Sequence, residues 1–278
     1  MDGWACDPSR LARGRPLAVP PANFEEMVAE AGAAPVDGWG FGWLDGRATE
    51  QRPSWGYAGM LVHRVSTVEA VLDIQTGGGE VFSEVLRRST RAPLRVEATE
   101  AWLPNLVIAR SNLAPFGATV AEVAIDEPLP FEEASFDLVI SRHPVLTLWP
   151  EVARVLRPGG TFFSQQVGDG SNRELYEFLM GPQPPDGPSS RSPRQAERDA
   201  ANAGLAVTDL REEPLLTTFN DIGAVVYFLR KVPWTVPDFS VEGYLPRLRA
   251  LHEQIACHGP FQAHAQRFLI EAQKPPAH

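Results

Sequence analysis

In the run Asp73-Ile74-Gln75-Thr76-Gly77-Gly78-Gly79 an acid precedes a cluster of glycines, and a second acid, Glu100, follows Gly79 at the length of one helix and one strand. Glycines let the backbone turn sharply and bring its amides close to a ligand with no Cβ in the way. A carboxylate at that remove can accept hydrogen bonds from both hydroxyls of a ribose. The chemistry indicated is the seating of a nucleotide-like cofactor. Spacing narrows the choice: a dinucleotide fingerprint needs G-x-G-x-x-G, and Phe82 stands where the third glycine would be, against NAD or FAD.

A second group of reactive side chains follows the apolar run Phe136 to Ile140. Ser141, Arg142 and His143 come next. An imidazole titrates in the range needed to take a proton from a hydroxyl or amine, and a guanidinium can anchor an acidic substrate. His143 also precedes Pro144, and a loop hydrogen bond would account for it equally well. Gln165 and Gln166 end a further apolar run, and alternation along a strand turns one of them toward the site. Trp55 and Tyr57 lie in an aromatic, glycine-rich stretch. Arg47 and Tyr227 are further substrate-side candidates, for which a surface ion pair and packing against the sheet are the simpler readings. The remaining histidines, at 63, 252, 258, 264 and 278, have no ligand spacing, so no metal is implied.

These residues need elements to hold them. Val71, Leu72 and Ile74 suit a strand covered on both faces. Leu94 to Glu100 reads as a second strand, Leu103 to Leu113 as a covering helix, and Ala118 to Ala124 as a third strand ending near Ile125 and Asp126. Phe136 to Ile140 is a fourth. Glu151 to Arg157 is a helix halted by Pro158-Gly159-Gly160, and a fifth strand begins at Thr161. Beyond it come a helix (196 to 204), a strand (205 to 210), helices at 221 to 232 and 240 to 257, and a last strand at 264 to 271.

The run from Val71 to Phe82 resembles motif I of class I S-adenosylmethionine (SAM) methyltransferases, hydrophobic-hydrophobic-Asp-x-Gly-x-Gly-x-Gly. Leu129-Pro130-Phe131 with Ser135-Phe136-Asp137-Leu138-Val139, and Leu156-Arg157-Pro158-Gly159-Gly160, are similar to later segments of the methyltransferase type 11 pattern, and the likeness runs through most of the chain beyond residue 55. One departure is plain: Gln75 replaces the first glycine, so a side chain projects where backbone would face the methionine end of SAM. The resemblance implies an α/β, Rossmann-like, seven-stranded sheet of order 3-2-1-4-5-7-6, its last strand antiparallel, with helices on both faces and helical caps. It implies SAM as cofactor, held by Asp73, Gln75, Thr76, Gly77, Gly79, Glu100, Ala101, Ile125, Asp126 and Ser141. His143, Arg142 and Tyr57 become the catalytic candidates, Tyr57 facing the sulfonium, and Arg47, Trp55, Gln165 and Tyr227 the substrate-binding ones. The function implied is methyl transfer to a small-molecule acceptor, of the kind met in secondary metabolism. Two alternatives stay open: an enzyme that cyclises the aminobutyrate arm of SAM and releases methylthioadenosine, motivated by Gln75, and a non-catalytic SAM-binding module.

Composition sets outer bounds. The 278 residues carry a net charge of -10, which disfavours nucleic acid as a partner. Cys6 and Cys257 lie far apart with no C-x-x-C, suggesting neither a disulfide framework nor a zinc site, and the cytoplasm is the default compartment. No run reaches membrane-span length, and the sequence leaves a homodimer open. Residues 1–60 read as an N-terminal arm and a cap over the SAM site, and 61–278 as the catalytic domain, with cap insertions at about 168–193 and 214–262.

Overall fold

The computed structural model describes residues 23–36, 40–184 and 191–277. Eight strands among them form one sheet: β1 (Ala48–Glu50), β2 (Ala70–Asp73), β3 (Arg95–Glu100), β4 (Thr119–Glu122), β5 (Phe136–Arg142), β6 (Leu156–Val167), β7 (Ala206–Phe219) and β8 (Phe261–Gln273). Their order is β1-β7-β8-β6-β5-β2-β3-β4. The five strands from β4 to β6 are mutually parallel, and β8 runs antiparallel to both β6 and β7. Without β1 this is the expected seven-strand order. The count is corrected to eight by β1, which pairs antiparallel with the outer edge of β7. Three residues, Ala48-Thr49-Glu50, are too short a run for period-two patterning to stand out.

Each central strand is apolar because it is covered twice. On one face α2 (Tyr57–Val65), α3 (Glu80–Arg88) and α4 (Leu103–Leu113) pack Leu61, Val65, Phe82, Leu106 and Leu113 onto Val71, Val96, Leu138 and Ile140. On the other, α5 (Trp149–Val155) and α7 (Pro193–Asn202) bring Trp149, Val152 and Ala196 against Leu72, Val139 and Phe162. Burial on both sides removes the polar alternation an open strand would show.

A third apolar cluster builds the cap. α1 (Phe24–Ala33), α6 (Arg173–Met180), α8 (Ile222–Lys231) and α9 (Val241–His258) gather around Phe219, Phe261 and Ala263. β8 pairs with β6 only from Arg267 to Gln273, whereas its pairing with β7 continues to Phe261. The β7–β8 ribbon therefore rises about 20 Å past the carboxyl end of β6, at ~3.3 Å per residue. Asp221 and Ser240 cap α8 and α9, each side chain accepting a backbone N–H of the first turn.

Two expected boundaries move. Residue 60 falls inside α2, and 214–219 belong to β7 instead of a cap insertion. The expectations for residues 1–22, Cys6 among them, lie outside the described residues. No helix among the described residues is long and apolar enough to cross a membrane.

Candidate active site

β2 ends at Asp73, and the chain turns through Gln75 and Gly77, both at positive φ, into Gly79, which opens α3. The turn is tight for a packing reason. A Cβ on Gly79 would sit 3.1 Å from the Leu113 side chain and 3.4 Å from Ala109 Cα, so α4 closes over the loop only because glycine is there.

β3 lies beside β2 and delivers Glu100 to this turn. Gly77 N–H donates to Glu100 Oε2 at 2.8 Å, while Ala101 and Trp102 N–H donate to Oε1 at 3.1 and 2.9 Å. The acid and the glycine loop, separate in sequence, are one unit. Burial raises the Glu100 pKa against these three amide bonds, which lower it. Below it Asp73 is buried, and desolvation pushes its pKa up to about 7; the Thr76 hydroxyl, donating to Oδ2 at 2.6 Å, opposes this and the charge of Glu100 adds to it.

Gln75 does not face the loop it belongs to. Its Nε2 donates to Leu146 O at 2.7 Å and its Oε1 accepts Val145 N–H at 2.7 Å. The side chain thereby spans the crevice between the ends of β2 and β5, the topological switch of the sheet. A recess open to solvent lies beside it, lined among others by Thr99, Ala124, Ile125, Glu127, Ser141 and Leu146. Of the cofactor-side expectations, Gln75, Ile125 and Ser141 line this recess, while Asp73, Thr76, Gly77, Gly79, Glu100 and Ala101 belong to the glycine turn and the end of β3 next to it. Asp126 is exposed and does not line the recess. Thr99, Glu127 and Leu146 line it without having been singled out; none of them falls in a recognisable motif.

On the neighbouring side a second group assembles. Tyr57 is buried, stacks on Phe163 with centroids 5.2 Å apart, and donates its hydroxyl to Ser141 O at 3.3 Å. Desolvation holds its pKa well above the usual phenol value. Trp55 Nε1–H donates to Gln165 Oε1 at 2.9 Å, which leaves the Gln165 amide nitrogen toward His143 Nε2, also at 2.9 Å. That order makes Nε2 an acceptor and places the ring proton on Nδ1. Burial, aided by the charges of Arg142 and Arg267, lowers the His143 pKa well below the ordinary value, so the imidazole is neutral at pH 7. His143 itself has φ 57 and donates its backbone N–H to Gln165 O at 2.7 Å. Arg142, beside it, keeps solvent access although crowding by protein lowers its pKa.

Arg47 and Tyr227 stand apart from this assembly. Arg47 pairs with Glu30 and lies 4.2 Å over Trp43, which stacks on Tyr227 at 4.6 Å, so all three belong to the cap. Among the described residues no group of three or more His, Cys, Asp or Glu could hold a metal ion.

Comparison with known proteins agrees with this geometry. Residues 72–164 match the family model described as a methyltransferase domain. No curated protein matches the chain. Among solved structures, a functionally unknown protein from Deinococcus radiodurans R1 superposes with a TM-score of 0.57 at 16% identity, covering 90% of this chain and 98% of that one. YcgJ from Bacillus subtilis gives 0.55 at 17%, covering 80% and 99%. A proposed methyltransferase from Bacillus halodurans C-125 gives 0.54 at 17%, covering 78% and 98%. The fold is thus shared, over 78–90% of this chain, with proteins of little sequence likeness.

Proposed function

We propose, taking as premise the class I SAM-dependent methyltransferase domain that residues 72–164 carry, that this chain binds SAM and transfers its methyl group to a small-molecule acceptor. The observation that carries the reading is the 2.8 Å bond from Gly77 N–H to Glu100, which joins a strand-end carboxylate to a Cβ-free turn at the switch point. Such a pair suits a ribose and the chain beyond it, and the recess flanked by Ile125 and Leu146 suits a flat base.

When bound, SAM supplies a methyl carbon activated by its sulfonium. The protein's part is then to orient the acceptor and exclude water. Glu100 would hold the ribose, with Gly77, Thr76 and Ala101 around it. The Tyr57 ring and the buried Asp73 would flank the place where positive charge lies. Trp55, Gln165 and His143, linked in a chain, would form the acceptor wall. The cap, built on the β7–β8 ribbon, stands over the carboxyl end of the sheet and would shape the acceptor's entry. The reaction fits a cytoplasmic protein of small-molecule biosynthesis. The cyclising alternative drew on Gln75 facing the donor; the bonds of its amide to Val145 and Leu146 favour methyl transfer over it.

The test is calorimetry with SAM and S-adenosylhomocysteine. Both should bind, and Glu100→Ala should weaken both on the order of 10- to 100-fold through loss of charge-assisted hydrogen bonds. Absence of heat with either ligand, together with an unchanged Glu100→Ala variant, would sink the proposal. Formation of methylthioadenosine in place of S-adenosylhomocysteine during turnover with cell extract would replace methyl transfer by cyclisation.

A further inference from the structure

The register of the sheet sets Arg142, Gln165, Leu269 and Arg211 side by side in one row, with their side chains on the same face, and Arg267 on that face one row further on. The other cations of this face each have a carboxylate. Arg267 makes two bonds to Glu50, at 2.8 and 3.0 Å; Arg64 pairs with Glu271; Arg211 pairs with Asp209 at 2.7 Å. Arg142 has no hydrogen-bond or ion-pair partner among the described residues, although it lies at the carboxyl end of β5, beside the switch point.

The polar groups around it are otherwise taken. The Gln165 amide is satisfied at both ends, His143 Nε2 accepts from it, and the Tyr57 hydroxyl is donated to Ser141 O. What remains on offer is the guanidinium and the imidazole Nδ1–H, both donors. Of the carboxylates whose charge reaches Arg142, Glu50 is held by Arg267 and Asp73 is buried beneath the Thr76 hydroxyl. A strand end with an unpaired cation and spare donors, its neighbouring carboxylates already engaged, complements an anionic ligand.

We propose that Arg142 is the anchor of an acidic group on the acceptor, and that the acceptor is a small carboxylate. This rests on the methyltransferase reading for the word acceptor, while the anion site itself stands or falls by direct binding. The planar, bidentate match of guanidinium to carboxylate makes Arg142 a recognition residue for the substrate.

The experiment titrates protein saturated with S-adenosylhomocysteine with benzoate, phenylacetate and succinate, and with the neutral amides of the same three acids. At least one acid should bind about tenfold more tightly than its amide. Arg142→Gln should abolish that preference, and Arg142→Lys, which keeps the charge but not the fork, should retain part of it; far-ultraviolet dichroism verifies that both variants fold. Equal binding of every acid and its amide, including none of either, overturns the proposal, as does a preference that survives in Arg142→Gln. One further arm separates the donor's own carboxylate. If Arg142→Gln weakens S-adenosylhomocysteine but leaves methylthioadenosine, which lacks the amino acid arm, unchanged, the guanidinium belongs to the donor and the proposal fails. If S-adenosylhomocysteine does not bind at all, the titrations on free protein still decide the anion site, so the failure of the methyltransferase reading is seen separately.

Discussion

Asp73 is held where its charge is poorly solvated. Its pKa is ordinary in the unfolded chain, near 3.9, and is pushed up to about 7 on folding. Between those values the folded protein binds a proton that the unfolded chain does not, so stability is greatest at the acid end of the window and falls as pH rises through it. Asp73→Asn should therefore raise Tm at pH 8 by about 5 °C, with the gain shrinking toward pH 4, as thermal denaturation followed by circular dichroism would show; an equal gain at both pH values would place the cause elsewhere. A cationic ligand should favour the ionised form. Binding of SAM at pH 6 is thus expected to release protons, measurable by calorimetry in buffers of different ionisation enthalpy. At this scale much of the candidate arrangement was legible: an acid, a glycine run and a second acid on the next strand sufficed to expect Asp73, Gly77, Gly79 and Glu100 beside one another. The Gln165–His143 bond was not, because it joins two strands whose register no local pattern states.

The turns at the ends of β2 and β5 are held together by Gln75. Where the motif has glycine, this residue keeps the positive φ (55), a conformation that costs a non-glycine residue roughly 1–3 kcal/mol, while its amide grips the 145–146 backbone. Gln75→Gly should relieve the strain and lose both bonds, leaving global stability within about 1 kcal/mol. Val145 is exposed, and its N–H donates to Gln75 Oε1, so hydrogen exchange at that amide is expected to quicken at least tenfold in the variant; an unchanged rate would mean that the loop holds itself. Gly79→Ala acts differently. Its new Cβ meets Leu113 at 3.1 Å in a left-handed backbone, and chemical denaturation should register a loss of about 1–3 kcal/mol. Sequence predicted α4 to the residue, since apolar spacing and Pro104 near its start agree. It expected the strand only over 205–210; the antiparallel ladder with β8 carries β7 on through Arg211, Glu212, Glu213 and Pro214 to Phe219.

Across the whole molecule three apolar clusters divide the work: one on each face of the sheet and one in the cap. Leu251, fully buried on α9, belongs to the cap alone. Leu251→Ala should cost about 2–5 kcal/mol and raise hydrogen exchange in α8 and α9 more than in β2 and β5, whose partners are elsewhere; uniform loosening would show that cap and sheet open as one. The segment from Ala48 to Trp55 joins the two. It pairs along β7 through β1, Gln51 exchanges hydrogen bonds with Leu216, Ser54 holds Glu213, Glu50 holds Arg267, and Trp55 reaches Gln165. This stretch behaves as a tie rod: a tilt of the ribbon that carries the cap would pull on the indole, through it on the glutamine, and so displace the imidazole on the far side of the crevice without any contact of its own.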